Sequence, residues 1–373
     1  MSDPEPSLPA TPPPPPAVRG GRWGAALVAV LVVLFVVLIS VHGAGRTLRD
    51  PPATVSAAIT FLPYFYAAFV SLAFGVWTLV PDRRTPPALL AVTTMIGVVT
   101  WVPGWAGRGV SPEGAPIRVM EWNLRRLWGT PSTDDPTACA AAAIEREDPD
   151  VLVLLELSAD ELAHLQAATP MSCIQADYLG TGDARHGGLA VCARGDVWSL
   201  RWGSPKRYLD DDPWRFVIAE AADGDRVLNV IAVHLVPYRF AASELRTGVR
   251  DLATGDPDDL LALGRRGEAT ARAQGAQAAV LRSRLEQLTH PTVIAGDFNS
   301  TRDAALHTAL RAHLHDAFEQ AGTGFGPTIR FLDVVPLRVD FVYTTDDVVP
   351  VDARVLDDRC SDHQAVVVDV DLR

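Results

Sequence analysis

The sequence predicts an α/β (α+β) domain of four layers, two mixed β-sheets packed face to face under outer helices, preceded by three transmembrane helices. Three observations carry that reading. Hydrophobic residues make up 48% of the 373-residue chain, a high share for a wholly soluble protein, and much of the excess lies in three runs before residue 107. From residue 117 onward, short apolar strands alternate with polar helices. Those strands also come in meanders without helices between them, which builds mixed sheets, not one parallel sheet.

The chain opens on "SDPEPSLPATPPPPP". Residues 1–22 hold almost no large apolar side chain and read as a disordered or polyproline II tail. Residues 23–41, "WGAALVAVLVVLFVVLISV", give nineteen residues without a charge, close to the ~20 that cross a bilayer core as a helix. A secretory signal has an apolar region of roughly 7–15 residues, so this run reads as a membrane helix. Residues 55–80 and 88–106 repeat the pattern, making 23–106 a three-helix anchor, and 107–116 a linker. None of the three spans carries an ionisable residue, which argues against a transporter or proton pathway. Arg19, Arg22, Arg83 and Arg84 on one side outnumber Arg46, Arg49 and Arg108 on the other. Counting positive charge inside then gives a multi-pass cell-membrane protein with residues 117–373 outside the cytoplasm.

In 117–373, "IRVMEWN" (117–123) is strand-like, and 133–147 reads as a helix with Pro136 in its first turn, where proline is tolerated. "DVLVLLE" (150–156) is the continuous apolar run of a strand buried on both faces. Ser158 and Glu161 stand at capping-box spacing ahead of a helix over 158–168. Strands are expected at 187–193, 197–202, 215–221 and 226–235, helices at 241–253 and 260–288, and strands at 291–296, 338–344, 348–355 and 364–372. The acidic stretch 238–260 reads either as rim of a site or as a solvated helix.

Residues 117–373 carry 26 basic and 40 acidic residues, a net charge of −14. Such a domain is no general polyanion binder, because non-specific nucleic-acid affinity comes largely from neutralised phosphates. Any phosphate must be met locally, by a metal ion or a few arginines. Cys139, Cys173, Cys192 and Cys360 have no C-x-x-C spacing, against a zinc site. Outside the cytoplasm they allow up to two disulfides in any of three pairings; buried free thiols are the alternative.

The chemistry-bearing residues fall at strand ends. "RVMEWN" ends at Asn123, "VLVLLE" at Glu156, "VIAVH" at His234, "VIAGDFN" at Asp297 and Asn299, and "RVD" at Asp340, while "SDHQ" brings Asp362 and His363. Each has an ordinary alternative: Asn123 as a turn residue, His234 as a core histidine, Asp362 as an Asx-turn. Glu156 resists one, since a carboxylate after five apolar residues is costly unless paired or bound to a cation. Together the set offers the hard oxygen ligands of Mg²⁺ or Mn²⁺ with two imidazoles for phosphoryl chemistry.

"WNLR", "PDVLVLLE", "VHL", "IAGDFNST", "RVDFVY" and "SDHQAVVVDVDL" resemble, in order and spacing, the endonuclease/exonuclease/phosphatase superfamily with its DNase I-like fold. The three leading helices resemble its membrane-bound bacterial members. The resemblance implies a Mg²⁺-dependent phosphoesterase, most simply a phosphodiesterase. Glu156 would be the main metal ligand with Asn123 and Asp362 close by. Asp297 would activate or orient the attacking water, and Asn299 would hold it and the phosphate. Asp340 would orient a histidine, while His234 and His363 would contact the scissile phosphate. The pattern departs where nucleases of the family set a tyrosine between the equivalents of Glu156 and His234; here "ARHGG" offers Arg185 and His186. Arg215 is a second candidate phosphate contact, or an outward-facing strand arginine. The partners implied are a nucleic-acid or phospholipid-headgroup phosphodiester and the lipid around the spans, with no protein partner. The rival reading is a membrane-tethered binding module that keeps the fold without turnover.

Overall fold

The computed structural model describes residues 21–47, 53–80, 84–101, 107, 109–124, 135–177, 188–210, 214–238, 242–331 and 334–373. They form two compact units, one within residues 1–39 and 63–96 and the other within 40–62 and 97–373. The amino-terminal region holds α1 (Gly21–Thr47), α2 (Ala53–Thr60), α3 (Leu62–Leu79) and α4 (Thr85–Trp101). Among the described residues two helices, Trp23–Gly45 and Leu62–Leu79, are long and apolar enough to cross a membrane, not the three expected. The expected span 55–80 breaks at Phe61, and Pro63 sits in the first turn of α3, where its missing N–H is not needed. The expected span 88–106 coincides with α4, an apolar helix of 17 residues that falls short of that length; residues 102–106 lie outside the described residues.

The second unit contains two six-stranded sheets. One runs in the order β13 (Val348–Val355), β14 (Val366–Leu372), β1 (Ile117–Asn123), β2 (Val151–Leu157), β4 (Gly188–Arg194), β3 (Met171–Asp177). The other runs β5 (Ser199–Arg207), β6 (Arg215–Asp223), β7 (Arg226–His234), β8 (Thr292–Asp297), β12 (Asp340–Thr344), β9 (His315–Asp316). Each sheet has one parallel pair, β1–β2 and β7–β8, and antiparallel neighbours elsewhere. Parallel strands need a crossover. It is α5 (Pro136–Glu147) in the first sheet, and α7 (Ala242–Ala253) with α8 (Asp258–Leu285) in the second.

Strand periodicity explains the four layers. In β2, Val151, Val153 and Leu155 enter the core between the sheets, while Leu152 and Leu154 pack beneath α5 and α6 (Ala159–Ala168) with Ile144 and Leu162. In β7, Val230 and Ala232 face the same inter-sheet core. Ile231 and Val233 pack outward with Leu281 of α8 and Leu306 of α9 (Ala305–Leu310). Three apolar layers thus separate helix, sheet, sheet and helix, each strand being buried on both faces as its unbroken apolar run requires.

Helix starts follow the local chemistry. Asp135 caps α5 by accepting from the Ala138 N–H, with Pro136 at the first turn. Ser158 and Glu161 form the reciprocal capping box of α6. The sequence reading missed the edge strand β3, whose Ser172 and Gln175 dilute its apolar pattern. It also missed the hairpin β10 (Ile329–Phe331) and β11 (Val335–Leu337) and the short helices α9 and α10 (Ala317–Ala321), all too brief for a periodic signal.

All four cysteines are paired. Cys173 and Cys192 face each other across β3 and β4, and Cys139 of α5 is bonded to Cys360, 221 residues away in sequence. The second bond ties the segment immediately before Ser361, Asp362 and His363 to the outer helical layer. Replacing Cys139 and Cys360 together by serine is expected to destabilise the fold by about 2–5 kcal/mol, read by thermal unfolding in detergent. An unchanged transition would show that the bond constrains nothing.

Candidate active site

The polar strand ends converge at one edge of the sandwich. Asn123 and Glu156 come from the parallel pair of the first sheet and His234 and Asp297 from that of the second, the place where open α/β sheets offer ligand sites. Asp340 enters opposite Asp297 in the antiparallel register of β8 and β12. His363 arrives on the segment before β14.

Local backbone geometry aims these groups. Gly296 has φ 150°, and a Cβ built on it would lie 1.9 Å from the Val233 carbonyl oxygen, so only glycine fits where β8 presses on β7. Asn299 follows with φ 49°, its backbone N–H donating to Asp297 Oδ1 at 2.7 Å and its Nδ2 to the Leu235 carbonyl at 3.0 Å. Phe298, between them, is fully buried against Phe341 and Tyr343. Glu156 has φ 56° at a register shift in β2, where the extra residue turns its side chain toward the site. Positive φ at a non-glycine residue is backbone strain of the kind concentrated at functional sites.

Six of the expected residues form one cluster. Asn123 Nδ2 donates to Glu156 Oε1 at 3.1 Å and to Asp297 Oδ2 at 3.0 Å. His234 Nε2 lies 3.6 Å from each of those carboxylate oxygens. His363 Nδ1 is held by Asp340 at 2.9 Å and 3.1 Å, which directs Nε2 toward Asp297 Oδ2, 4.0 Å away. Asp362 is exposed beside this cluster, its Oδ1 3.4 Å from Ser361 Oγ, and it is not among the ligand atoms that gather. Arg215 opens β6 half-buried, opposite Arg207. Arg185 and His186 lie outside the described residues.

Several supporting residues were not anticipated. Trp214 packs edge-on against His234, with ring centroids 5.2 Å apart. Thr328 Oγ1 accepts from the backbone N–H groups of Val339 and Asp340. Ser361 Oγ donates to the Asn123 carbonyl, and Trp122 Nε1 to that of His363. Buried Gln274 and Gln277 of α8 bind the backbone of Val236, and Gln274 also that of Asn299. Glu121, two residues before Asn123, is fully buried, and neither of its carboxyl oxygens has a hydrogen-bond partner among the described residues. Its spelling in "RVMEWN" was the available signal: a charge inside an apolar strand.

The electrostatics divide the two histidines. Burial lowers the His234 pKa against the pull of Glu156, leaving a neutral imidazole. Burial also opposes charge on His363, but the carboxylates of Asp340, Asp297 and Asp362 outweigh it and push its pKa up to about 10. Burial, then the neighbouring Asp340 and Glu156 carboxylates, raise Asp297 to about 8 against the opposing pull of His363 and the Asn299 N–H.

Two groups, Glu156–His234–Asp297 and Asp297–Asp340–His363, each place three potential ligand atoms within 4.8 Å of one another. Crowded carboxylates, one of them held protonated by its neighbours, fit a divalent cation, which would relieve the repulsion that raises Asp297. Because the cation competes with a proton for Asp297, its affinity is expected to rise with pH up to about 8 and then level, with proton release on binding. Calorimetry in buffers of different ionisation enthalpy measures this. Affinity and proton release that do not change with pH would remove Asp297 from the ligand set.

The profile of the Endonuclease/Exonuclease/phosphatase family matches residues 120–363, from β1 through His363. The chain belongs to this family. The fold recurs in an endonuclease/exonuclease/phosphatase from Bacteroides vulgatus (14% identity, 70% of this chain and 100% of that one, TM-score 0.54). It recurs in the human Nocturnin catalytic domain with bound sulfate (16% identity, 70% and 97%, TM-score 0.52). D. rerio TDP2 complexed with single strand DNA product is similar in fold as well (15% identity, 69% and 100%, TM-score 0.51). No curated protein sequence matches the chain. Family and fold together make it a phosphoesterase of DNase I-like architecture.

Proposed function

We propose that the protein is a membrane-anchored, divalent-cation-dependent phosphodiesterase working in an oxidising compartment outside the cytoplasm. The observation that carries this is the convergence of Asn123, Glu156, His234, Asp297, Asp340 and His363 at the ends of two parallel strand pairs. Glu156 and Asn123, with Asp297 beside them, would hold Mg²⁺ or Mn²⁺, Asp362 standing exposed at the rim. Bound there, the cation would neutralise charge on the phosphate and favour the attacking water's ionisation.

The chain's own groups do the rest. Asp297, once deprotonated and with Oδ1 fixed by the Asn299 N–H, offers Oδ2 to the water proton. Asn299 supports both that carboxylate and the phosphate. His363, an imidazolium oriented by Asp340, faces the charge that grows on the non-bridging and leaving oxygens. Neutral His234 supplies a hydrogen bond beside it. Two disulfides support an oxidising compartment, and the two membrane-length helices support the anchor.

The net charge of −14 over residues 117–373 favours a lipid or small-molecule phosphodiester over DNA. TDP2's single-stranded DNA product keeps nucleic acid in the panel. Full-length protein is expected to cleave bis-p-nitrophenyl phosphate faster than the monoester in Mg²⁺ or Mn²⁺, to lose this in EDTA, and to prefer phospholipid vesicles to single-stranded DNA. No turnover of any member of that panel overturns the proposal, and preference for DNA overturns its lipid arm.

A further inference from the structure

Asn299 takes φ 49°, a left-handed conformation that is strained for any residue with a side chain and persists only where the surroundings over-determine it. Two of its polar groups are met at the strand ends. Its backbone N–H donates to Asp297 Oδ1 at 2.7 Å, and its Nδ2 donates to the Leu235 carbonyl at 3.0 Å. The third contact comes from the helical layer behind them: the Asn299 carbonyl accepts from Nε2 of Gln274, in α8, at 3.1 Å.

Gln274 is fully buried, and the same nitrogen donates to the Val236 carbonyl at 2.9 Å. A primary amide nitrogen carries two hydrogens, and here one goes to each of the loops that follow β7 and β8. Gln277, three residues further along α8, accepts from the Val236 N–H at 3.0 Å, so the first of those loops is pinned at both backbone groups of one residue. The helix that links the parallel pair therefore also clips its two ends together. The bridge fixes the orientation of the Gln274 amide, because turned over it would set Oε1 against two carbonyl oxygens. As it stands, Oε1 has no hydrogen-bond partner among the described residues, a cost that the fold carries to keep both donors on the loops.

We infer that Gln274 is a positioning residue for phosphodiester cleavage, acting through Asn299 from behind the loop; the inference rests on the phosphodiesterase reading of the site. Without its two donors the Asn299 carbonyl is released and the backbone relaxes from positive φ. The N–H then leaves Asp297 Oδ1, and the side-chain amide no longer stays where the phosphate needs it.

The test compares full-length protein in phosphatidylcholine nanodiscs with Gln274→Met, which keeps side-chain length and removes both donors. Hydrogen exchange read by mass spectrometry should be at least tenfold faster in peptides covering 297–301 and unchanged in β2 and β14 of the other sheet. With bis-p-nitrophenyl phosphate, kcat should fall at least tenfold while KM stays within twofold. The same substitution in an Asn299→Gly background, where positive φ needs no holding, should cost at most twofold more. Gln274→Asn, too short to reach both carbonyls, serves if the first variant does not fold. Unchanged exchange at 297–301, faster exchange throughout both sheets, or an equal loss of kcat in the Asn299→Gly background overturns the inference.

Hydrogen exchange needs no turnover. A wild-type protein that cleaves no phosphodiester overturns the proposed activity, while the exchange result still decides whether Gln274 holds Asn299 in place.

Discussion

His363→Ala is expected to lower kcat by about 10²–10⁴ while leaving KM and cation affinity little changed. The imidazole is built into its place: Trp122 donates to its backbone carbonyl, Ser361 Oγ receives its N–H, and Asp340 holds Nδ1 through both carboxylate oxygens. Burial alone would discharge it, yet the surrounding carboxylates keep it protonated to about pH 10. A fixed positive charge in a water-poor site is worth most where negative charge develops in the transition state. Its folded-state pKa lies above the ordinary histidine value, so its contribution to stability is complete below about pH 6.5 and is lost as pH rises through about 10.

Asp340→Asn provides the sharper measurement. Removing that carboxylate takes away the largest interaction favouring the imidazolium, so the alkaline limb of the pH–rate profile should move to lower pH. A limb that stays in place would mean that another group carries it.

Much of this site was legible because its residues end strands. The runs before Glu156, His234 and Asp297 are apolar without interruption, and a polar residue closing such a run has few structural uses. Glycine before Asp297 was legible for the same reason, and the 1.9 Å approach to Val233 gives its cause. The layers were legible because alternate residues of β2 and β7 fill separate cores. The pairing of the cysteines was not, since Cys139 and Cys360 meet only once α5 packs across the first sheet. Nor were Gln274 and Gln277, whose buried amides look in sequence like any polar residue on a helix. Their meaning lies in two loop carbonyls and one N–H that come from other parts of the chain. The second membrane span was started too early because composition does not register the break at Phe61 ahead of Pro63, and the third was overread because its apolar run outlasts the helix, α4 being too short to count as a span.

Glu156→Gln is expected to weaken divalent-cation affinity by about 10–100-fold and, at low Mg²⁺, to lower kcat/KM by about 10³. Raising Mg²⁺ should recover part of that loss, which no cation concentration should do for His363→Ala. The substitution keeps size and the hydrogen bond from Asn123, now 3.1 Å from Oε1, and removes only the charge. In the metal-free protein that charge is one of the interactions that raise Asp297. Metal-free Glu156→Gln should therefore be as stable as wild type or more so. In Mg²⁺ the order should reverse, because a cation that binds only the folded state stabilises the tighter binder more, by RT ln(1 + [L]/Kd). Thermal unfolding of both proteins with EDTA and with Mg²⁺ reads this crossing directly. Parallel shifts in the two conditions would show that Glu156 holds the fold and not the ion, and a metal-free variant less stable than wild type would show that its contacts with Asn123 and His234 outweigh its repulsion of Asp297.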